Sequence, residues 1–270
     1  MLSVDDAIAS LLEGCHRRVE SESIDLRVGL GRILAEDVIA PIDVPPADNS
    51  AMDGYAFRHA DWSGEEQSIP LSQRITAGSV PSFLAAGTAA RIFTGAEVPE
   101  GADSVVMQEH CEGSDNEVRI LKCPARGANI RPRGQDISTG QKILAKGHRL
   151  RPQDLGLLAS QGFSRLNVYR RLRVAVLSTG DELVDPGLPI QPGQIFNSNR
   201  YTMGAQLASW GFEVVDMGLT RDDPDLIRDS FDAAAREADV ILSSGGVSVG
   251  EEDHVKDVVE AIGSIDLWKI

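Results

Sequence analysis

Positive charge is scarce in this chain. Its 270 residues carry 26 Lys and Arg against 41 Asp and Glu, a net charge of −15 at pH 7. A summed field of that sign works against nucleic acid and anionic membrane, so neither is an expected partner. An anionic substrate would need local help from a metal, from Lys or Arg, or from backbone N–H groups. Cysteine is also scarce: Cys15, Cys111 and Cys123 form no C-x-x-C pair. An odd, scattered set excludes a disulfide frame or a zinc site and fits a reducing cytoplasm. No stretch approaches the roughly 18 apolar residues of a membrane span. The opening MLSVDDAIASLLEG is acidic and amphipathic, unlike a secretory signal or a transit peptide. The histidines are dispersed, with only His254 near the acidic loops described below, and no persuasive Ser-His-Asp arrangement is found. The Walker loop and the G-x-G-x-x-G fingerprint are both missing.

What is present divides into two halves. Residues 171–270 alternate between strand and helix patterns. RLRVAVLST (171–179) is a continuous apolar run suited to a strand buried on both faces. A helix over 198–210, a strand at 212–220 and a helix after Asp223-Pro224 follow. In that last helix Leu226, Ile227, Phe231 and Ala234–Ala235 share one side. A strand at 239–244, a helix ending at Gly263 and a strand in IDLWKI complete the series. This order implies a parallel sheet with right-handed crossovers. Residues 1–170 read as a helix near 3–20, then short apolar runs broken by Pro and Gly, then a helix near 152–161. The short runs suggest antiparallel β structure. The expected fold class is α/β plus mixed α+β: a β-rich N-terminal and linker region of two lobes, β-rich around 46–145, and a parallel-sheet domain over 171–270.

Ligands of open parallel sheets bind outside the carboxyl ends of the strands. After the first strand come Ser178, Thr179, Gly180, Asp181 and Glu182; after the second, Arg221, Asp222 and Asp223. After the third comes SSGGVSVGEEDH, with Gly245, Gly246, Val247, Ser248, Glu251 and Asp253. Each piece alone has an ordinary reading: STGD as a turn, RDDP as a helix cap. The glycine pair followed by a helix start suits a phosphate. Carboxylates beside an anion site make sense if a hard cation is bound, because Mg²⁺ takes one or two carboxylates plus phosphate oxygens. The expected ligand is therefore a phosphorylated compound with magnesium; a solvated acidic rim is the bland alternative.

Three sites in the first half stay open. PPADNSAMDGYA (45–56) has no regular period, yet carries Asp53 between Met52 and Gly54-Tyr55. Asp53 either caps a local turn or is held out for chemistry elsewhere. In RIFTGAEVPEG, Thr94 either faces a ligand or ends a strand. NIRPRGQDI (129–137), with Arg131, Arg133 and Asp136, is either an anion-contact loop or a charge-paired turn.

DNSAMDGYA, IFTGAEVPEGADSVVMQE, NIRPRGQDI, VLSTGDELV, GQIFNSNR, RDDP and SSGGVSVGEEDHVK occur in one order along nearly the whole chain. In this the sequence resembles the molybdopterin molybdenumtransferase family, the MoeA proteins and the E domain of gephyrin. The resemblance implies insertion of molybdate into adenylylated molybdopterin, with release of AMP and Mg²⁺ support. It implies an elongated homodimer whose active site lies between the molybdopterin-binding α/β domain of one subunit and the β-rich lobe of the other. It implies other molybdopterin-handling enzymes of the pathway as partners. Carried over by motif, Asp53, Glu182, Asp222, Asp253 and Lys269 are the catalytic set, with Glu182, Asp222 and Asp253 on the metal. Thr94, Asp136, Ser178, Thr179, Gly180, Asp181, Gly245, Gly246, Val247 and Ser248 are the substrate-binding set. In the family, Trp-Lys-Ile continues into a Lys-Pro-Gly-Lys segment and a further β domain. The chain stops at Ile270, which implies a fragment with an incomplete α/β domain and little insertion activity. Two other readings are a molybdopterin adenylyltransferase, which shares the α/β fold, and a non-enzymatic scaffold.

Overall fold

The acidic start folds as helix α1 (Val4–Gly14). The Ser3 hydroxyl accepts from the Asp6 N–H, and Asp5 and Asp6 occupy the first turn, where the helix dipole favours negative charge. The helix is shorter than the expected 3–20. Cys15 is already extended, at φ −75° and ψ 96°, and its N–H turns back to the Leu12 carbonyl. Ala7 is buried, while Val4, Ile8, Leu11 and Leu12 are exposed. The structure is a computed structural model that describes residues 3–15, 19–245 and 254–265.

The chain divides into two units. One comprises Met1–Glu36, Gly147–Leu155 and Ser164–Ile270; the other comprises Asp37–Lys146 and Gly156–Phe163. After α1, the first unit continues with strands β1 (Ser21–Asp25) and β2 (Ile33–Leu34). The second unit then contributes β3 (Val38–Ile39), β4 (Asn49–Ser50), β5 (Gly54–Phe57), β6 (Ser68–Ile75), β7 (Ala89–Ile92) and β8 (Ser104–Met107). It goes on with β9 (Cys111–Gly113), β10 (Glu117–Ile120), β11 (Ile130–Arg131) and β12 (Lys142–Leu144). Six of these strands form one sheet in the order β8-β5-β7-β6-β10-β9. The pairs are antiparallel except β6 with β7, which is parallel, so the all-antiparallel expectation is corrected. The 13-residue run between β6 and β7 is long enough to return the chain to the same end of the sheet. β5 is buried throughout and its residues alternate between two cores. Tyr55 and Phe57 pack with Ile69, Val106 and Ile120, whereas Ala56 packs with Ile75, Ile92 and Val105. That period of two is what a strand with two covered faces requires.

Helix α2 (Pro152–Ser160) leads to β13 (Arg165–Tyr169), which lies between β1 and β2 in a three-stranded sheet. Sequence reading missed β1 and β13. SESID is polar and its first three residues are exposed, so it offers little hydrophobic alternation.

The rest of the first unit is α/β. It comprises β14 (Arg173–Thr179), β15 (Leu183–Val184), β16 (Ile195–Phe196), α3 (Ser198–Trp210) and β17 (Glu213–Thr220). It closes with α4 (Pro224–Glu237), β18 (Val240–Ser244) and α5 (Val255–Ile262). β14 is the middle strand of the parallel sheet β17-β14-β18. Its alternate side chains meet helices on both faces. Val174 and Val176 pack with Leu207 of α3; Leu177 packs with Ile227 and Phe231 of α4 and Val255 and Val258 of α5. Burial on both faces explains the unbroken apolar run of this strand. Leu226 differs from expectation: it is exposed, because the buried stripe of α4 is Ile227, Phe231 and Ala234. The expected strand in IDLWKI falls on residues 266–270, outside the described ones.

Candidate functional site

The central position of β14 places the residues that follow it between those that follow β17 and β18. The Ser178 hydroxyl is fully buried. It donates to Asn197 Oδ1 at 3.4 Å and accepts from the Ser244 hydroxyl at 3.2 Å. Gly180 then turns the chain with φ +149°, and its N–H reaches the Thr220 carbonyl at 3.3 Å. A Cβ on Gly180 would lie 2.6 Å from Glu182 Oε2, so the Glu182 carboxylate folds back over this glycine. Gly245, at φ +118°, stands against Thr179: a Cβ there would lie 2.6 Å from Thr179 Oγ1. Both glycines thus occupy backbone conformations that L side chains rarely adopt, at points of close approach.

The acids of this edge divide their work. Asp223 caps α4, its Oδ1 accepting from the N–H groups of Asp225 and Leu226 at 3.0 Å. Asp222 does not cap the helix. Its Oδ2 accepts from the Asp181 N–H at 3.2 Å, and its own N–H donates to Asp181 Oδ1 at 3.4 Å. This reciprocal pair ties the two loops together. Burial pushes the Asp222 carboxyl above the usual carboxylate range; the Asp181 N–H opposes this, and the negative charges of Asp181 and Glu182 add to it. Among the described residues, no three His, Cys, Asp or Glu side chains are gathered to hold a metal ion. Glu182 and Asp222 alone still match the one or two carboxylates that Mg²⁺ takes beside phosphate oxygens, and their crowding is what a cation would relieve.

A folded-state pKa raised above the unfolded value means that the folded chain holds the Asp222 proton more tightly. The resulting stability is present in acid and is lost as pH rises through the raised folded value. Asp222→Asn should therefore melt above the wild type at pH 7, with the difference shrinking toward pH 4. Melting curves at the two pH values check this; equal melting at pH 7 would show that Asp222 carries no such cost.

Beside these loops lies a cleft of roughly 200 Å³, lined by Thr179, Glu182, Phe196, Asn197, Ser244 and Gly245 among others. Asn197 is a residue that sequence reasoning passed over inside GQIFNSNR, where it looks like a helix cap. It is one: Oδ1 accepts from the Arg200 N–H at 3.3 Å. But Asn197 is 1% exposed and its Nδ2 has no hydrogen-bond partner among the described residues. Such an orphan donor costs about 1–3 kcal/mol. No local pattern announces it, since the cap accounts for only one end of the amide.

In the other unit, Asp53 does not cap its own turn. Its Oδ1 accepts from both the N–H and the hydroxyl of Thr94, each at 2.7 Å. The Thr94 N–H first, then its hydroxyl and the charge of Arg91, hold the exposed Asp53 carboxyl below the usual range. The two residues singled out in separate motifs are therefore in contact. Arg91 supports the same corner: it donates to the Gly54 carbonyl at 2.8 Å and to Gln108 Oε1 at 2.6 Å, and stacks 4.6 Å from the Phe93 ring centroid. In the RPRGQD loop, Arg133 pairs with Asp43 at 2.5 Å and its N–H donates to Asp48 at 2.7 Å. That is a charge-paired turn. Asp136 is exposed; its N–H binds the Val44 carbonyl at 2.9 Å.

Asp53, Thr94 and Asp136 belong to one unit; Ser178, Thr179, Gly180, Asp181, Glu182, Asp222 and Gly245 belong to the other. Gly246, Val247, Ser248, Asp253 and Lys269 lie outside the described residues.

Residues 2–162 match the family described as "MoeA N-terminal region (domain I and II)", and residues 175–269 match "Probable molybdopterin binding domain". A Haemophilus influenzae protein named molybdopterin molybdenumtransferase is 42% identical over 100% of this chain and 67% of its own length. A Nostoc protein of the same name is 40% identical over 95% of this chain and 60% of its own. The crystal structure of a molybdopterin biosynthesis moea protein from Pyrococcus horikosii superposes with a TM-score of 0.87 at 33% identity, covering 98% of this chain and 68% of that one. The chain thus spans about two thirds of the length of these relatives.

Proposed function

Since the chain belongs to the MoeA family of molybdenum cofactor biosynthesis, we propose that it carries the molybdopterin site of a molybdopterin molybdenumtransferase. The reaction is insertion of molybdate into adenylylated molybdopterin, with release of AMP. One observation carries this beyond the family match. At the carboxyl edge of the parallel sheet, Gly245 with its positive φ, the buried amide of Asn197 and the Glu182 carboxylate line one cleft, with Gly180 and the Asp181–Asp222 pair in the adjoining loops.

Each group has work to do there. Gly180 and Gly245 allow the substrate to approach the backbone. Ser178 and Ser244 hold the floor of the cleft by their mutual hydrogen bond. The Asp181–Asp222 pair keeps the second loop against the first. Glu182 and Asp222, joined by Asp253, are the carboxylates that would hold Mg²⁺, which supplies countercharge for phosphate and molybdate oxygens. Lys269 offsets further negative charge. Asp53, kept ionised by Thr94, serves the same reaction from the β-rich part, and Asp136 contributes to substrate binding. Asp53 and Asp136 come from the unit of Asp37–Lys146 and Gly156–Phe163, and the cleft belongs to the other unit.

The working form is a homodimer that shares its active sites; the exposed apolar side chains of α1 support self-association. No helix among the described residues is long and apolar enough to cross a membrane. The free Cys15, Cys111 and Cys123 support a cytoplasmic setting alongside other molybdopterin-handling enzymes.

Incubation of a form spanning the full length of the relatives with adenylylated molybdopterin and molybdate tests the reading. Equimolar AMP and molybdenum cofactor are expected, with a dependence on Mg²⁺. Adenylylation of molybdopterin by ATP instead, or no turnover, would overturn it.

A further inference from the structure

The geometry points to Asn197 as the donor that recognises the ring carbonyl of the bound pterin. This rests on the molybdopterin reading of the cleft and adds a residue to it. Asn197 precedes α3 and caps it through Oδ1, which takes the Arg200 N–H at 3.3 Å and the Ser178 hydroxyl at 3.4 Å. Both contacts use the oxygen. Ser and Asp cap helices as well as Asn does, so the cap gives no reason for an amide nitrogen. Yet Nδ2 is buried with no hydrogen-bond partner among the described residues, and Asn197 is one of the residues that line the cleft.

The neighbours of Nδ2 select the acceptor. Glu182 lines the same cleft, where a bound cation, and not the amide, would answer for phosphate oxygens. Ile195 and Phe196, 56% and 46% exposed, line it too and offer an apolar face to a flat ring. A neutral heterocycle with a carbonyl acceptor satisfies all three features. The Ser178–Ser244 hydroxyl chain and the Arg200 N–H fix the oxygen of the amide, and so leave the nitrogen as the end without a partner among the described residues. A site that donates to a substrate carbonyl discriminates strongly, because the buried donor is unpaired whenever the carbonyl is missing.

Molybdopterin binding, measured anaerobically by titration calorimetry, tests this with Asn197→Ser, Asn197→Asp and Asn197→Ala. Ser keeps a capping oxygen and loses the donor. It should melt with the wild type and bind molybdopterin about tenfold or more weakly. Asp keeps the shape and the cap, loses the donor, and should weaken binding likewise. It decides the matter should Ser fold poorly. Ala loses both functions and should fall in melting temperature and affinity together. If Asn197 only caps α3, Ser and Asp retain wild-type affinity and the inference fails while the molybdopterin reading stands. A wild type that takes up no molybdopterin overturns both.

Discussion

In a form spanning the full length of the relatives, mixing Asp53→Ala and Glu182→Ala proteins should restore turnover that neither shows alone. Asp53 lies in the β-rich unit and Glu182 at the carboxyl edge of the parallel sheet. Neither belongs to a hydrophobic core: both are exposed, and among the described residues the Asp53 carboxylate bonds only to Thr94. Each substitution should therefore leave folding intact while lowering turnover by about a hundredfold or more, the usual effect of removing an electrostatic group from a preorganised site. If each active site takes Asp53 from one subunit and Glu182 from the other, a mixed dimer has one site with both acids and one with neither. Random exchange makes half of the dimers mixed, so activity should recover to about a quarter of the wild type. Native mass spectrometry establishes that exchange has occurred. Exchange without recovered turnover would place both acids in the same subunit's site, or remove one of them from catalysis.

Gly54→Ala should be the most damaging single methyl group in the β-rich unit. Gly54 opens β5, which lies between β7 and β8. A Cβ there would stand 1.8 Å from the Val106 carbonyl oxygen and 2.9 Å from its carbon. These are backbone atoms of the paired strand, so no side chain can rotate away; β8 itself must shift. Overpacking of this kind costs typically about 1–3 kcal/mol, and rigid backbone places it at or above the upper end. Gly95→Ala is the control. Its φ is +81° but its Cβ would meet nothing within 4 Å, so it should cost only the left-handed backbone term of about 1–2 kcal/mol. Denaturation midpoints compare the two. Equal losses would mean that β8 yields easily and that strand packing does not explain Gly54. Because Asp53 and the Arg91 contact to the Gly54 carbonyl share this corner, lost turnover should accompany the larger loss of stability.

The parallel sheet was legible in the alternation of RLRVAVLST, FEVVDMGLT and DVILSS with amphipathic helices; of the three strands the middle one, RLRVAVLST, is the one buried nearly throughout, as a strand covered on both faces must be. Asp223-Pro224 determined the start of α4, because a cap and a first-turn proline act through bonds only two or three residues long. Acid after each of the three strands, with glycine after two of them, marked the edge where ligands bind. What lay beyond sequence were contacts made across distance. Asp53 meets Thr94 41 residues away, and Asp181 meets Asp222 at the same separation. Polar SESID becomes a strand only because RLNVY arrives 140 residues later to pair with it. Which of two adjacent aspartates caps a helix, and which is pushed toward its protonated form, depends on the neighbouring loop and not on local order. The unpaired amide of Asn197 is the same kind of fact. Hydrogen-bond satisfaction belongs to the assembled site, and only the tertiary structure decides which end of a side chain is left over.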